Sequence, residues 1–168
     1  PGPNLSALGS AGHADIEILR LTSRRAAEMV SANPKLIDTV GSVEGGFPHR
    51  EYSDLLIEVV SARADFRESI GELRREWTRL MFEILTFDVF DKILLSECKR
   101  RQTMLAEASI KAAISITRRE LEGKYKIQID QLPLAVLALG KFGGGGLDYD
   151  SDLDLVMVYD DSFRHPES

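Results

Sequence analysis

The spacing of apolar residues predicts helices through roughly the first three quarters of the chain. In four segments the apolar side chains return every three or four residues, the period of a helix with one buried face. Between these side chains lie charged and polar residues, which suit a solvated face. The four predicted helices are residues 14–32, 52–62, 65–87 and 92–122.

Proline and glycine positions predict where these helices begin and end. The residue before a proline is disfavoured in helical conformation, so the first helix should end at Asn33, and Pro34 should open a short turn reaching Asp38. Residues 88–91 should form a short connection between the two longest helices. Gly123 is the expected stop of the last helix, since glycine is common just past helix ends.

The pattern changes from helix to strand after Pro133. Leu134–Leu139 is continuously apolar, which predicts a strand buried on both faces, and Leu155–Tyr159 predicts a second strand. We expect the second strand to begin already with Asp152 and Asp154, and the alternation of side chains then places both carboxylates on one face. The sequence therefore predicts an α+β fold in which helices come first and the opening of a sheet follows.

Composition and charge narrow the function classes. The chain has 168 residues and a net charge of −6, which argues against a nucleic-acid binder. No apolar run reaches membrane-spanning length, no signal peptide is recognisable, and the single cysteine, Cys98, fits a reducing compartment. We therefore expect a cytoplasmic protein without a membrane partner.

Both ends of the sequence suggest a piece of a longer protein. The chain starts at Pro1 without a methionine, and it ends shortly after a strand that looks central, although a two-stranded sheet is marginal by itself. We expect a helical lead-in over residues 1–90. Residues 91–168 should hold a long helix and the first part of a catalytic domain. Residues 153–159 should then be poorly covered, and the chain is expected to self-associate there.

The glycine-rich stretch between the strands suits phosphate and metal chemistry. Glycine amides can approach a ligand closely, and paired carboxylates are metal ligands. Three rival motifs fit less well. No Ser or Thr follows Lys141 as a P-loop requires, and no register gives a dinucleotide-binding GxGxxG. A calcium loop starting at Asp148 would have Leu153 and Tyr159 where glycine and glutamate belong.

Residues 139–156, LGKFGGGGLDYDSDLDLV, resemble a known signature. They are similar to the motif G-x-G-K-x-G-G-x-E-L-x-x-x-S-D-x-D-L of glutamine synthetase adenylyltransferase/adenylyl-removing enzymes, which belong to the nucleotidyltransferase superfamily. Residues 23–38 and 73–88 also look like helical segments of that family. The sequence departs from the motif at Ala138, where the family has glycine, and at Gly146, where it has glutamate.

The resemblance implies a site and a reaction. Asp152 and Asp154 match the catalytic, metal-binding aspartates, and the nucleotide-binding positions are matched by Lys141, Gly143, Gly144 and Ser151. The fold would be the incomplete start of a nucleotidyltransferase-type mixed sheet, with its third carboxylate on a later strand that is not found before Ser168.

The implied reaction is Mg²⁺-dependent transfer of AMP from ATP to a tyrosine of glutamine synthetase, or removal of that AMP by phosphorolysis. A PII-type regulatory protein is a further implied partner. The alternative is a catalytically inactive regulatory or scaffold module that keeps the fold, which Gly146 and the missing carboxylate would favour.

Overall fold

Helices dominate the described part of the chain, and one pair of strands follows them. The computed structural model describes residues 17–39, 46–129 and 133–160. This order confirms the predicted α+β class with an incomplete sheet. The elements are α1 (Arg24–Ala32), a 3₁₀ helix (Pro34–Thr39), α2 (Tyr52–Ser61), α3 (Phe66–Val89), α4 (Leu95–Tyr125), β1 (Leu134–Ala138), α5 (Gly140–Gly143) and β2 (Leu155–Tyr159).

The first predicted helix is interrupted at Ser23, where one continuous helix was expected. Residues 17–22 are helical, but Ser23 adopts an extended conformation with φ −126° and ψ 113°. Its hydroxyl oxygen accepts a hydrogen bond from the Ala26 amide at 3.2 Å, which caps α1. The start predicted at Ala14 lies outside the described residues. The short turn predicted from Pro34 is confirmed as the 3₁₀ helix.

A connection between the two long helices is found as expected, but it covers residues 90–94 rather than the predicted 88–91, because α3 ends at Val89 and α4 begins at Leu95. It opens with a capping motif. Asp91 has a left-handed φ of 54°. The Lys92 amide donates to the Phe87 carbonyl at 2.8 Å, and the Asp91 amide donates to the Asp88 carbonyl at 3.0 Å. This pair of bonds satisfies carbonyls at the end of α3 as a Schellman motif does, with aspartate in the place usually taken by glycine.

The predicted stop at Gly123 is wrong. Helix α4 continues through Gly123 to Tyr125, and the left-handed residue that follows is Lys126, with φ 56°. A glycine inside a helix costs only about 1 kcal/mol relative to alanine, which a helix of this length tolerates.

The described residues divide into two compact units. One contains the described residues up to His49 together with Thr78–Cys98. Its core includes Phe82 and Ile84, both fully buried, and an edge-to-face contact between Phe47 and Phe87 with ring centroids 4.9 Å apart.

The other unit contains Arg50–Trp77 and the described residues from Lys99 onward. There α2 and α3 are tied to α4 by Arg119, whose guanidinium donates to the Val60 carbonyl at 3.0 Å and to the buried Ser69 hydroxyl at 2.8 Å. The division into regions 1–90 and 91–168 stays a prediction.

Strands β1 and β2 pair antiparallel, with Leu134 opposite Tyr159 and Ala138 opposite Leu155. The prediction that β1 is buried on both faces is wrong, because half-buried and exposed residues alternate along it. Leu137 is 50% exposed, since no described residue covers that face of the sheet. The expected poor cover of residues 153–159 is also found: Met157 is 66% and Tyr159 72% exposed. Within the described ranges, no helix is long and apolar enough to cross a membrane.

Candidate functional site

All six residues predicted for the site lie in the connection between β1 and β2, residues 139–154. The strand pairing continues one step into this connection, because the Leu139 amide donates to the Asp154 carbonyl at 2.9 Å. Strand β2 itself begins at Leu155, so the prediction that Asp152 and Asp154 open the strand is wrong. Their common direction therefore does not follow from strand alternation; both precede β2 and are exposed.

The glycine turn, residues 140–146, is closed by its own backbone. The Gly143 amide donates to the Leu139 carbonyl at 2.9 Å, and the Gly144 amide donates to the Gly140 carbonyl at 3.1 Å. The amides of the next two glycines are bonded to carbonyls of the same turn at 3.0 and 2.9 Å. In this structure these N–H groups shape the turn, and a role for Gly143 and Gly144 in binding phosphate stays a prediction.

Two positions in the turn favour glycine for different reasons: Gly140 because its backbone is left-handed, and Gly143 because it lies against backbone atoms. Gly140 has a left-handed φ of 56°, and a Cβ there would lie 2.6 Å from the Asp154 Oδ2 atom. At Gly143 a Cβ would overlap the Ala138 backbone carbonyl. The first contact also shows that the Asp154 carboxylate lies directly against the Cα of Gly140. Glycine therefore allows the chain to fold back tightly with this carboxylate beside it.

A small apolar cluster anchors the glycine turn to helix α4. Phe142 and Leu147 are buried together with Ala106 of α4, and Leu155 packs against them from the sheet. The Leu147 amide also donates to the Thr103 hydroxyl oxygen at 3.4 Å. The turn is thus held against α4 at Phe142 and at Leu147, on either side along the chain of its four consecutive glycines, and Lys141 directly precedes the first of these anchors.

Asp148 lies between two lysines immediately after this anchor. The Lys99 ammonium group from α4 lies 2.8 Å from Asp148 Oδ1, and that of Lys141 from the glycine turn lies 2.9 Å from Oδ2. The side chain of Asp148 is 44% exposed, that of Lys99 34% and that of Lys141 63%. Hydrogen bonds from Lys99 first, and then from Lys141, hold the pKa of Asp148 at about 2, below its ordinary 3.8.

This low pKa predicts how the contribution of Asp148 to stability depends on pH. Because its pKa in the folded chain is depressed, the stabilisation is fully present above about pH 4 and is lost as pH falls through about 2. Replacing Asp148 by Asn should lower the melting temperature slightly at neutral pH, and the difference should vanish toward pH 2. Melting curves of the two proteins across this range measure it. A difference that does not change with pH would contradict the ion-pair explanation.

Ser151 holds the next turn of the chain. Its hydroxyl oxygen accepts a hydrogen bond from the Asp148 amide at 3.1 Å, and its own amide donates to the Asp148 carbonyl at 3.1 Å. These are the bonds of a local polar turn. Ser151 therefore sets the direction in which the chain enters Asp152, and its predicted contact with nucleotide stays a prediction.

Asp152 and Asp154 differ from Asp148 in their surroundings. Within the described residues, neither carboxylate has an ion-pair or hydrogen-bond partner on another side chain. No group of three or more potential metal-ligating side chains occurs in the described part of the chain. Two exposed carboxylates nevertheless fit Mg²⁺, which commonly takes one or two carboxylates from the protein and completes its shell with water and substrate phosphates.

Sequence reasoning missed Lys99 and the role of Asp148. The sequence indicated Asp148 only as the first position of a weakly matching calcium loop, and Lys99 looks like one of many charged positions on a helix. Only the packing of the turn on α4 brings the two together. A separate pocket is lined by seven residues, none of them predicted for the site: Ala64, Phe66, Ile116, Arg119, Glu120, Gly123 and Lys124.

Comparison with known proteins gives a consistent set of matches. A family model described as glutamate-ammonia ligase adenylyltransferase matches residues 15–166. A bifunctional glutamine synthetase adenylyltransferase/adenylyl-removing enzyme from Cutibacterium acnes is 27% identical over 87% of the chain. Proteins of the same name from Ralstonia nicotianae and Burkholderia mallei are 30% and 27% identical over 86% and 77% of the chain. The chain spans only 14%, 15% and 14% of the lengths of these three relatives.

Proposed function

Because the chain belongs to the glutamate-ammonia ligase adenylyltransferase family, we propose that it forms part of an enzyme that transfers AMP from ATP to a tyrosine hydroxyl of glutamine synthetase. The proposal extends to a second reaction, in which inorganic phosphate removes the AMP by phosphorolysis. The names of the relatives from Cutibacterium acnes and Ralstonia nicotianae include both activities.

One observation carries this proposal. The exposed carboxylates of Asp152 and Asp154 follow a glycine turn, and Gly140 lets the Asp154 carboxylate lie against the turn that bears Lys141. An ammonium group and two carboxylates carried by one glycine turn and the segment after it suit a nucleoside triphosphate with its metal ion. The carboxylates would hold the metal, and Lys141 would attract the phosphates.

The proposed reaction is a displacement at the α-phosphorus of ATP. The tyrosine oxygen forms a bond to this phosphorus, the bond between the α-phosphorus and its bridging oxygen breaks, and pyrophosphate leaves while the hydroxyl proton passes to solvent or a base. In the removal reaction a phosphate oxygen forms a bond to the phosphorus of the attached AMP, the bond from that phosphorus to the tyrosine oxygen breaks, and the tyrosine oxygen takes up a proton, so that ADP and the free tyrosine form. A bound Mg²⁺ supplies charge neutralisation at the phosphoryl oxygens.

The chain's own residues have separate tasks in this scheme. Asp152 and Asp154 provide oxygen ligands, and Lys141 donates to a phosphate oxygen. Gly140 and Gly143 keep the backbone close enough for these groups to act together. Ser151 orients the segment that carries Asp152.

The test is transfer of label from α-³²P-ATP to glutamine synthetase by the full-length protein. We expect label on the synthetase that depends on Mg²⁺ and is lost when the acceptor tyrosine is replaced by phenylalanine. Incubation of the labelled product with phosphate should release labelled ADP if the removal reaction also occurs. If the full-length protein transfers no label and releases none, the alternative of an inactive scaffold module is favoured.

Other parts of the functional prediction rest on the same premise. Glutamine synthetase is the proposed protein substrate, and a PII-type regulator is a further proposed partner. The single cysteine and the use of ATP favour the cytoplasm as the location. The exposed apolar residues of β2 are consistent with the expected self-association of this chain.

A further inference from the structure

The ion pairs at Asp148 have the form of an occupied anion site. Each carboxylate oxygen of Asp148 is bound by a different lysine, Lys99 at 2.8 Å and Lys141 at 2.9 Å. Lysines bind a phosphate group in the same way, with two ammonium groups facing two oxygens of one anion, because each ammonium group provides charge-assisted N–H donors. Once Asp148 is displaced, the two lysines carry a charge of +2, which favours an anion with more than one negative charge.

The two lysines come from elements of different kinds. Lys99 lies on α4, a 31-residue helix, whereas Lys141 lies in the short α5 of the glycine turn. Both ammonium groups and the carboxylate are partly exposed, so a ligand can reach them from solvent. The proposed function already assigns Lys141 to the nucleotide phosphates. In this structure Lys141 and Lys99 contact the same anion, the Asp148 carboxylate.

The ion pairs are not needed to hold the turn in place. Phe142 and Leu147 are buried at 4% exposure each against α4, and the Leu147 amide is bonded to Thr103. Partly exposed ion pairs of this kind contribute little to stability, because water and salt screen them. Exchange of the Asp148 carboxylate for a ligand therefore costs the fold little.

We propose that Lys99 and Lys141 form one anion site, occupied by the Asp148 carboxylate in the nucleotide-free protein and by a phosphate group of the nucleotide when substrate binds. Lys99 is then a substrate-positioning residue, and Asp148 competes with the nucleotide for the two ammonium groups. This inference rests on the proposed function, because it assigns a second lysine to the same nucleotide site.

The test compares two variants that should change phosphate affinity in opposite directions. In the full-length protein, binding of inorganic tripolyphosphate without divalent metal, and of ATP with Mg²⁺, is measured by calorimetry. Asp148→Asn keeps the side-chain volume but removes the competing charge, so it should tighten tripolyphosphate binding about threefold to tenfold. Lys99→Met should weaken it about tenfold, and Lys99→Arg should restore most of the loss.

The matched control is Lys111→Met, which removes an exposed lysine from the same helix and should leave both affinities unchanged. In steady-state assays Lys99→Met should raise the KM for ATP more than it lowers kcat. If Lys99 and Asp148 serve only to brace the turn, Asp148→Asn and Lys99→Met both weaken binding or both leave it unchanged, and the inference is overturned.

Different results would reject the anion site alone and the proposed function. If wild-type protein binds ATP and transfers AMP but Asp148→Asn gives no gain in affinity, the anion site is rejected and the proposed function stands. If wild-type protein binds neither ATP nor tripolyphosphate, both are rejected. Should Lys99→Met not fold, the sign of the Asp148→Asn effect still decides the matter.

Discussion

Replacing Asp152 or Asp154 by Asn in the full-length protein should reduce AMP transfer by about 10³-fold or more while the protein stays folded. Both carboxylates are exposed and, within the described residues, engage no other side chain, so their charge contributes little to folding. Asparagine keeps the shape but loses the negative charge that a divalent ion requires. The loss should therefore appear in turnover and in metal affinity, with the melting temperature nearly unchanged.

The measurement is label transfer from α-³²P-ATP across a Mg²⁺ titration. Asp150→Asn is the matched control, because it removes an exposed carboxylate from the same segment but outside the pair. It should retain most of the activity. Wild-type turnover in both Asp152→Asn and Asp154→Asn would reject a metal-binding role for the pair and would favour the scaffold alternative.

Local sequence signals predicted the helices well because helical hydrogen bonds join residues four apart in the chain. The apolar period of α3 and α4 and the turn at Pro34 follow from contacts within a few residues. The break at Ser23 was detectable in principle, since serine is a strong capping residue, but the apolar period on both sides hid it. The prediction at Gly123 failed because glycine permits a left-handed residue at a helix end but does not impose one. The left-handed residue that follows the helix is Lys126.

Burial and long-range pairing could not be predicted in the same way. An apolar run such as Leu134–Leu139 shows that a strand prefers cover, but the covering atoms belong to other parts of a chain, and no described residue covers its outer face. The approach of Lys99 to Asp148 depends on how α4 packs against the glycine turn. Such contacts have no local signature, and a charged residue on a helix is usually solvated.

The glycine turn shows the same limit at the level of the site. Consecutive glycines suggested free amides that receive a ligand, whereas the structure uses the amides of Gly143 and Gly144 to close the turn. The sequence could indicate a special backbone but could not assign its hydrogen bonds. The glycines act through close packing, which brings the Asp154 carboxylate against Gly140 and sets the position of Lys141.

Replacing Gly143 by Ala should therefore destabilise this turn by about 2 kcal/mol and should disturb the site. The new methyl group would overlap the Ala138 backbone carbonyl, which cannot move without shifting β1, and overpacking of this kind costs about 1–3 kcal/mol. A gain of about 1 kcal/mol in helix propensity offsets only part of this cost.

Gly146→Ala is the matched control, because a Cβ there meets nothing within 4 Å and the residue has no left-handed φ. Its effect should stay within about 0.5 kcal/mol. Urea unfolding of the 168-residue chain measures both free energies. Equal losses in the two variants would show that the carbonyl contact does not control the turn.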